Sequence, residues 1–138
     1  MPLIDAHHHF YERPGWTYLL DEYLADARSG HNITASVFMQ ALTRYRTAGL
    51  EQLRPVGEVE YVAQVTGSMQ KEKPQVAKSI VGYADLRRGA AVCEVLEAEL
   101  EAGDGRLRGM RHLVTWDADS MLVRAMLIKS TACALYNA

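Results

Sequence analysis

The chain has 138 residues, of which 49% are hydrophobic and 23% are charged. This is the composition of a globular protein and excludes a disordered one. The formal net charge of −2 and the isoelectric point near 6.2 provide no basic surface for nucleic acid or acidic lipid, so we expect a small-molecule partner.

The cysteines and the N-terminus bear on the cellular compartment. Cys93 and Cys133 do not stand in a CxxC or other metal-ligand spacing. The chain begins without the basic-then-apolar pattern of a targeting peptide, and it contains no transmembrane run. We therefore expect a cytoplasmic protein with reduced thiols and no membrane partner.

Hydrophobic periodicity predicts strands and helices in alternation. A βαβαβαβ order of this kind predicts four parallel strands joined by right-handed crossovers, and near-continuous apolar runs suit a sheet buried on both faces. Pro14-Gly15 marks a turn in the loop after the first strand. The predicted strands are residues 3–6, 32–40, 79–84 and 106–113, and the predicted helices are residues 18–28, 55–69 and 90–101.

The helical patterns also predict which side chains face the sheet. In the second helix these are Val59, Val62, Ala63 and Thr66, and Pro55 suits the first turn because its missing N–H costs nothing there. In the third helix the apolar stripe and the polar surface are predicted separately. The stripe consists of Val92, Val95, Leu96 and Leu100, and the polar surface of Glu94, Glu97, Glu99 and Glu101.

The first strand delivers an aspartate and three histidines, at residues 5–9. Period-2 geometry predicts that Asp5, His7 and His9 project from one face and His8 from the other, so that two imidazoles can reach a common point. Neutral imidazole is a common zinc ligand, and His7 and His9 are the predicted metal ligands. A catalytic zinc typically takes three protein ligands, and the alternative interpretation is a polar turn at a strand end.

The motif at residues 3–9 resembles the first-strand signature of the amidohydrolase superfamily. It is most similar to the amidohydrolase-related branch that includes lactonases, pyrone-dicarboxylate hydrolases and some decarboxylases. Further stretches are similar to successive segments of the same family, in order, over residues 3–119. They are residues 53–62 (LRPVGEVEYV), 80–86 (IVGYADL) and 105–112 (GRLRGMRH).

This resemblance implies a (β/α)8 TIM barrel, which typically needs about 250 residues. The expected fold is therefore α/β, the N-terminal half of such a barrel, with four parallel strands and intervening helices in residues 1–119. Residues 120–138 form a tail of uncertain structure, in which residues 121–128 are apolar on nearly every side. A small doubly wound open sheet is the alternative, but no Gly-rich phosphate loop follows the first strand.

The resemblance also implies the site residues. In related enzymes an arginine at the end of the fourth strand tends to bind a substrate carboxylate, which suits the bidentate guanidinium of Arg111; a structural salt bridge is the alternative. Gln40, at the end of the second strand, stands where the family has an acidic residue, and it is either a substrate contact or a solvated loop residue like Arg46. Asp85 either faces the site or caps the next turn. No catalytic residue is identified.

The activity that the resemblance implies is hydrolysis of a lactone, an amide or a similar carbonyl compound, and the expected cofactor is a divalent metal, with zinc as the first choice. The family's remaining metal ligands and its water-activating acid are expected on strands 5 to 8, so a chain with four strands is expected to be weakly active or inactive alone. The alternative is a non-catalytic remnant or interaction module that associates through open sheet edges.

Overall fold

A parallel four-stranded β-sheet is the centre of the fold, and the computed structural model describes residues 1–113 and Ala118. The strands are β1 (Leu3–His8), β2 (Tyr11–Arg13), β3 (Trp16–Tyr18), β4 (Ile33–Met39), β5 (Gln75–Tyr83) and β6 (Leu107–Arg111). The helices are α1 (Leu20–Ala27), α2 (Val56–Val65) and α3 (Cys93–Ala102), with 3-10 turns at Glu51–Leu53, Ser68–Lys71 and Leu86–Val92. The sheet has the order β1-β4-β5-β6, and β2 and β3 form a separate antiparallel hairpin.

The predicted α/β architecture with four parallel strands is confirmed, and β1 and β6 are the edges of the sheet. Three predicted boundaries are corrected. The Pro14-Gly15 turn is confirmed, but the segments on either side of it are the strands of a hairpin. Strand β5 begins at Gln75, four residues before its predicted start, and α2 ends at Val65, four residues before its predicted end. The end of the family resemblance (residues 116–119), the apolar run at 121–128 and the tail at 120–138 lie outside the described residues, apart from Ala118.

The helices pack on one face of the sheet. Register aligns His8, Phe38, Ile80 and Leu107 in one row across the four strands, and all four side chains are buried. Tyr23 and Ala27 of α1 and Val59 and Val62 of α2 complete the same hydrophobic cluster. This cluster is the core that burial of apolar surface stabilises.

The buried face of α2 is the predicted one, whereas the buried face of α3 differs from the prediction. Val59, Val62 and Thr66 are fully buried. In α3, however, Glu99 is 0% exposed and Leu100 is exposed, so the prediction that Glu99 belongs to the polar surface is wrong. The cause lies in β5, because a Cβ atom at Gly82 would stand only 1.7 Å from Glu99 Oε2. The missing side chain of Gly82 therefore makes room for the Glu99 carboxyl group beneath the sheet.

No helix of residues 1–113 covers the opposite face of the sheet. Its side chains are half-buried, and the register brings Met39, Val81 and Gly109 into one row and Tyr83 beside Arg111. A parallel sheet is normally covered on both faces. This open face, defined here by Val37, Met39, Val81, Gly109 and Arg111, leads to the histidines at the carboxyl ends of the strands.

Three further observations concern Asp85, the cysteines and the membrane. The cap interpretation of Asp85 is confirmed, because its carboxylate accepts a hydrogen bond from the backbone N–H of Arg87 at the start of a 3-10 turn. Cys93 is exposed and in no disulfide, while Cys133 lies outside the described residues. Across the part of the chain that the structure describes, no helix has the length and apolarity needed to cross a membrane.

Candidate metal and substrate site

The two predicted ligand histidines meet at the carboxyl end of β1. His7 Nε2 lies 3.0 Å from His9 Nε2, with the ring planes at 78° to each other. This contact is a hydrogen bond between the two rings. Two nitrogen ligands at about 2.0–2.1 Å from a tetrahedral zinc ion are separated by about 3.3 Å, so the rings are close enough to bind one ion once that hydrogen bond is broken. The expectation that both imidazoles reach a common point is met by this geometry.

A backbone carbonyl fixes the orientation of His9. Its Nδ1–H donates to the carbonyl oxygen of Met39 at 2.7 Å, and a carbonyl can only accept, so the free lone pair of the neutral ring is on Nε2. Burial lowers the pKa of His9, and the nearby Arg111 and His7 lower it further. Both effects favour the neutral imidazole that binds metals, and the carbonyl contact is the kind of second partner that orients such ligands.

Asp5 does not join the pair. The prediction that it shares a face with His7 and His9 is wrong, because a bulge between Asp5 and His8 shifts the register, so that Asp5 pairs with Ser36 and His8 with Phe38. The Asp5 carboxylate instead accepts from the hydroxyl of Tyr23 at 3.2 Å and from the backbone N–H of His7 at 3.1 Å. Asp5 therefore positions the backbone of the histidine strand.

His8 belongs to the core. It is buried, stacks on Tyr23 with ring centroids 4.2 Å apart, and places Nε2 3.0 Å from the hydroxyl of Ser36. Burial lowers the pKa of His8 to about 4, so the ring is neutral at physiological pH. This side chain agrees with its predicted position on the face opposite to His7 and His9.

The residues present fit a metal in part. The neutral form of the His9 imidazole is favoured and the Met39 carbonyl orients it, and His7 places a second imidazole nitrogen beside it. Within residues 1–113, however, no set of three or more histidine, cysteine, aspartate or glutamate side chains is arranged to hold a metal ion. A three-ligand site therefore needs a donor from outside these residues. Metal binding at His7 and His9 stays a prediction.

Arg111 and Gln40, the predicted substrate contacts, touch each other across 71 residues of sequence. Arg111 Nε donates to Gln40 Oε1 at 3.1 Å, and the guanidinium also donates to the backbone carbonyl of Gln40. Gln40 is only 3% exposed, and its Nε2 donates to the hydroxyl of Tyr45 at 2.7 Å. The interpretation of Gln40 as a solvated residue is wrong. The geometry gives Gln40 the task of holding Arg111 beside the histidines.

Sequence reasoning missed a buried carboxylate that organises the neighbouring loop. Glu58 of α2 is fully buried and accepts hydrogen bonds from the backbone N–H groups of Ala41, Leu42 and Thr43, at 2.9, 3.3 and 2.9 Å. Burial raises the pKa of Glu58 to about 7 despite these bonds. The available signal was its place in the apolar run Val56-Gly57-Glu58-Val59, where a solvated glutamate is unexpected.

The hairpin that sequence reasoning also missed forms an aromatic wall beside the histidines. A cleft of about 330 Å³ lies between this hairpin, β1 and α1. The Tyr11 and Trp16 rings stack at 5.0 Å, and the Tyr11 ring lies 5.3 Å from that of His9. The cleft is lined by Asp5, His7, His8, His9, Tyr11, Trp16, Tyr18 and Tyr23.

Comparison of the chain with protein-family models, with curated proteins and with solved structures finds no match. The fold and the site described above are therefore the basis on which a function is inferred.

Proposed function

We propose that residues 1–113 form the first four parallel strands and the three intervening helices of a (β/α)8 hydrolase of the amidohydrolase type, acting on a lactone, an amide or a similar carbonyl compound. The proposal includes a divalent metal, with zinc as the first choice, held in part by His7 and His9. It also includes a cytoplasmic location. The observation that carries it is the approach of the His7 and His9 Nε2 atoms to 3.0 Å at the carboxyl end of a parallel strand.

Sheet topology supports the barrel part of this proposal. The strand order follows the chain order without reversal, and the helices contact one face. A doubly wound sheet reverses its strand order at a switch point and carries helices on both faces, whereas a barrel does neither. In barrels of this kind, catalytic groups lie at the carboxyl ends of the strands, which is where the histidines and Arg111 are found here.

Each side chain of the proposed site has a separate role. His7 and His9 would hold the metal, which when bound supplies a Lewis acid for the substrate carbonyl and lowers the pKa of a bound water. The Met39 carbonyl keeps His9 in the tautomer that presents Nε2. Arg111, held by Gln40, places a permanent positive charge beside the pair, where it can bind a substrate carboxylate. The remaining ligand and the water-activating group would come from strands other than the four parallel strands of residues 1–113.

Titration of the protein with zinc, with the heat of binding measured by calorimetry, tests the proposal. We expect His7→Ala and His9→Ala each to weaken zinc binding at least tenfold, because each removes one of two converging donors. His31→Ala is the matched control, since His31 is an exposed histidine outside the pair. Equal zinc affinity of the native chain and the His7→Ala, His9→Ala double variant would refute it. Hydrolysis of a lactone panel by the chain alone is expected to be weak or undetectable.

A further inference from the structure

The aromatic wall beside the histidines has no task in the hydrolytic scheme above. Trp16 is 51% exposed, although it is the largest side chain in the hairpin. One face of its indole is stacked on Tyr11, and the side chain also lines the cleft that contains His7 and His9. An exposed tryptophan that lines a concave cleft is typical of a ligand contact.

The hairpin that carries this wall is anchored at several points. Arg44 donates to Glu12 at 2.7 Å, and the hydroxyl of Thr43 donates to the carbonyl of Phe10 at 2.6 Å. The hydroxyl of Tyr18, at the end of β3, donates to Asp26 at 2.7 Å. A hairpin of two three-residue strands is too short to be stable alone, so these contacts hold the wall in one position. The binding surface is therefore formed before any ligand arrives.

The accessible aromatic surface of the cleft belongs to Trp16. The two oxygens of Asp5 accept hydrogen bonds from His7 and Tyr23, and the guanidinium of Arg13 lies over the Tyr11 ring, 5.1 Å from its centre. The half-exposed indole of Trp16 therefore offers a flat π surface in the cleft that also contains His7 and His9. This arrangement is suited to a flat, conjugated ring and poorly suited to a flexible chain or a puckered saturated ring.

We infer that the cleft is a stacking subsite for the ring of a flat, conjugated carbonyl compound, which packs against Trp16 with its carbonyl directed toward His7 and His9. This inference deepens the proposed function and depends on it only in taking the histidine pair as the reacting end of the cleft. Trp16 and Tyr11 determine specificity, and they take no part in bond breaking.

Indole NMR signals of metal-free protein provide the test. In a Trp116→Phe background Trp16 is the one remaining tryptophan, so the ¹H–¹⁵N spectrum contains a single indole Nε1–H signal. Benzamide is the flat probe, and cyclohexanecarboxamide is the saturated probe of matching size and polarity. We expect benzamide to shift the signal saturably, and the saturated amide to bind at least tenfold more weakly. Equal binding of the two amides, or no saturable shift with benzamide, overturns the inference.

Two substitutions of Trp16 distinguish the loss of ring stacking from the loss of the fold. Trp16→Leu is expected to weaken benzamide binding about tenfold, as measured by saturation transfer to the ligand, whereas Trp16→Phe keeps it within about threefold. Retention of binding in Trp16→Leu overturns the inference. Because the titration uses metal-free protein, its outcome is independent of zinc binding, and failure of one proposal is distinguishable from failure of the other.

Discussion

At the residue scale, the buried carboxyl of Glu99 is the least expected feature. The Glu99 side chain is enclosed between its own helix, α3, and Gly82 of β5. Neither of its oxygens forms a hydrogen bond of good geometry with the described residues. Burial raises the pKa of Glu99 to about 8, although the backbone N–H of Tyr83 opposes the rise and Glu58 adds to it. A carboxyl in such a place favours its protonated form.

The pH dependence of stability follows from this raised pKa. The folded state holds the Glu99 proton more tightly than the unfolded state, so stability is fully present below the usual pKa of 4.5 and is lost as pH rises to about 8. Each unit of pKa shift corresponds to about 1.4 kcal/mol. Glu58, whose pKa is raised to about 7, acts in the same direction over a narrower range.

We predict that Glu99→Gln removes much of this loss, since a neutral amide of nearly the same shape has no proton to lose. Urea unfolding at pH 5 and pH 9 measures this loss of stability. The free energy of unfolding should fall less from pH 5 to pH 9 in Glu99→Gln than in the native chain. Glu97→Gln, an exposed position on the same helix, is the control and should behave like the native chain. Identical pH dependence in all three proteins would contradict the explanation.

At the element scale, one arginine joins α2 to the sheet. The Arg106 side chain is buried and donates to the hydroxyl of Thr66, to the carbonyl of Ala77 and to the carbonyl of Ala63, at 2.7, 3.1 and 2.6 Å. One acceptor, the Ala63 carbonyl, lies in the last turn of α2, which contains no basic residue of its own, and another, the Ala77 carbonyl, lies in β5. Arg106 is therefore a structural residue, as a buried arginine with several acceptors usually is.

Substitution of Arg106 is expected to destabilise the fold. Arg106→Met keeps most of the side-chain volume and leaves three buried acceptors without their donor, so we predict a loss of about 2–4 kcal/mol in the free energy of unfolding. Arg108→Met, at an exposed position of β6, is the control and should cost less than about 0.5 kcal/mol. Equal stability of the two variants would show that the Arg106 bonds contribute nothing net.

The sequence predicted the elements better than the contacts between them. Local periodicity was enough for α1, α2 and the parallel strands, because burial of one helical face or of a whole strand repeats along the chain. The hairpin was missed because its strands have three residues each and contain charged side chains at Glu12 and Arg13. The burial of Glu99 depends on Gly82, a partner in another element, and no local pattern contains that information.

The candidate site was likewise predictable where it depends on local spacing, and not where it depends on contacts between strands. The approach of His7 to His9 follows from their spacing on one strand, and it was predictable for that reason. The departure of Asp5 from that face was not, because it results from a bulge in the pairing of β1 with β4. Likewise, the contact between Gln40 and Arg111 arises only after β4, β5 and β6 align.

At the scale of the whole molecule, no strand or helix of residues 1–113 covers the two edges of the sheet or one of its faces. Ile4, on the edge strand β1, is 67% exposed, and the open face contains Met39 and Val81. Exposed edges and apolar faces are common routes to association. We propose that isolated chains self-associate through β1. This association would replace, or occur in addition to, the pairing of the sheet edges with further strands.

Sedimentation at increasing protein concentration tests this association. The average mass should rise above the 15.4 kDa of one chain, and Ile4→Lys should return it to that value, because a charge on an edge strand disfavours pairing. Leu50→Lys changes an equally apolar residue, 56% exposed but outside the sheet, and should leave the association unchanged. A mass of 15.4 kDa at every concentration, or equal effects of the two variants, would contradict it.

The central claim is that His7 and His9 bind one metal ion together. X-ray absorption at the zinc edge of the zinc-loaded chain counts imidazole ligands directly. The account predicts two imidazoles per zinc in the native chain and one in His7→Ala or in His9→Ala, with His31→Ala unchanged at two. An imidazole count that stays the same in the His7→Ala, His9→Ala double variant would contradict it.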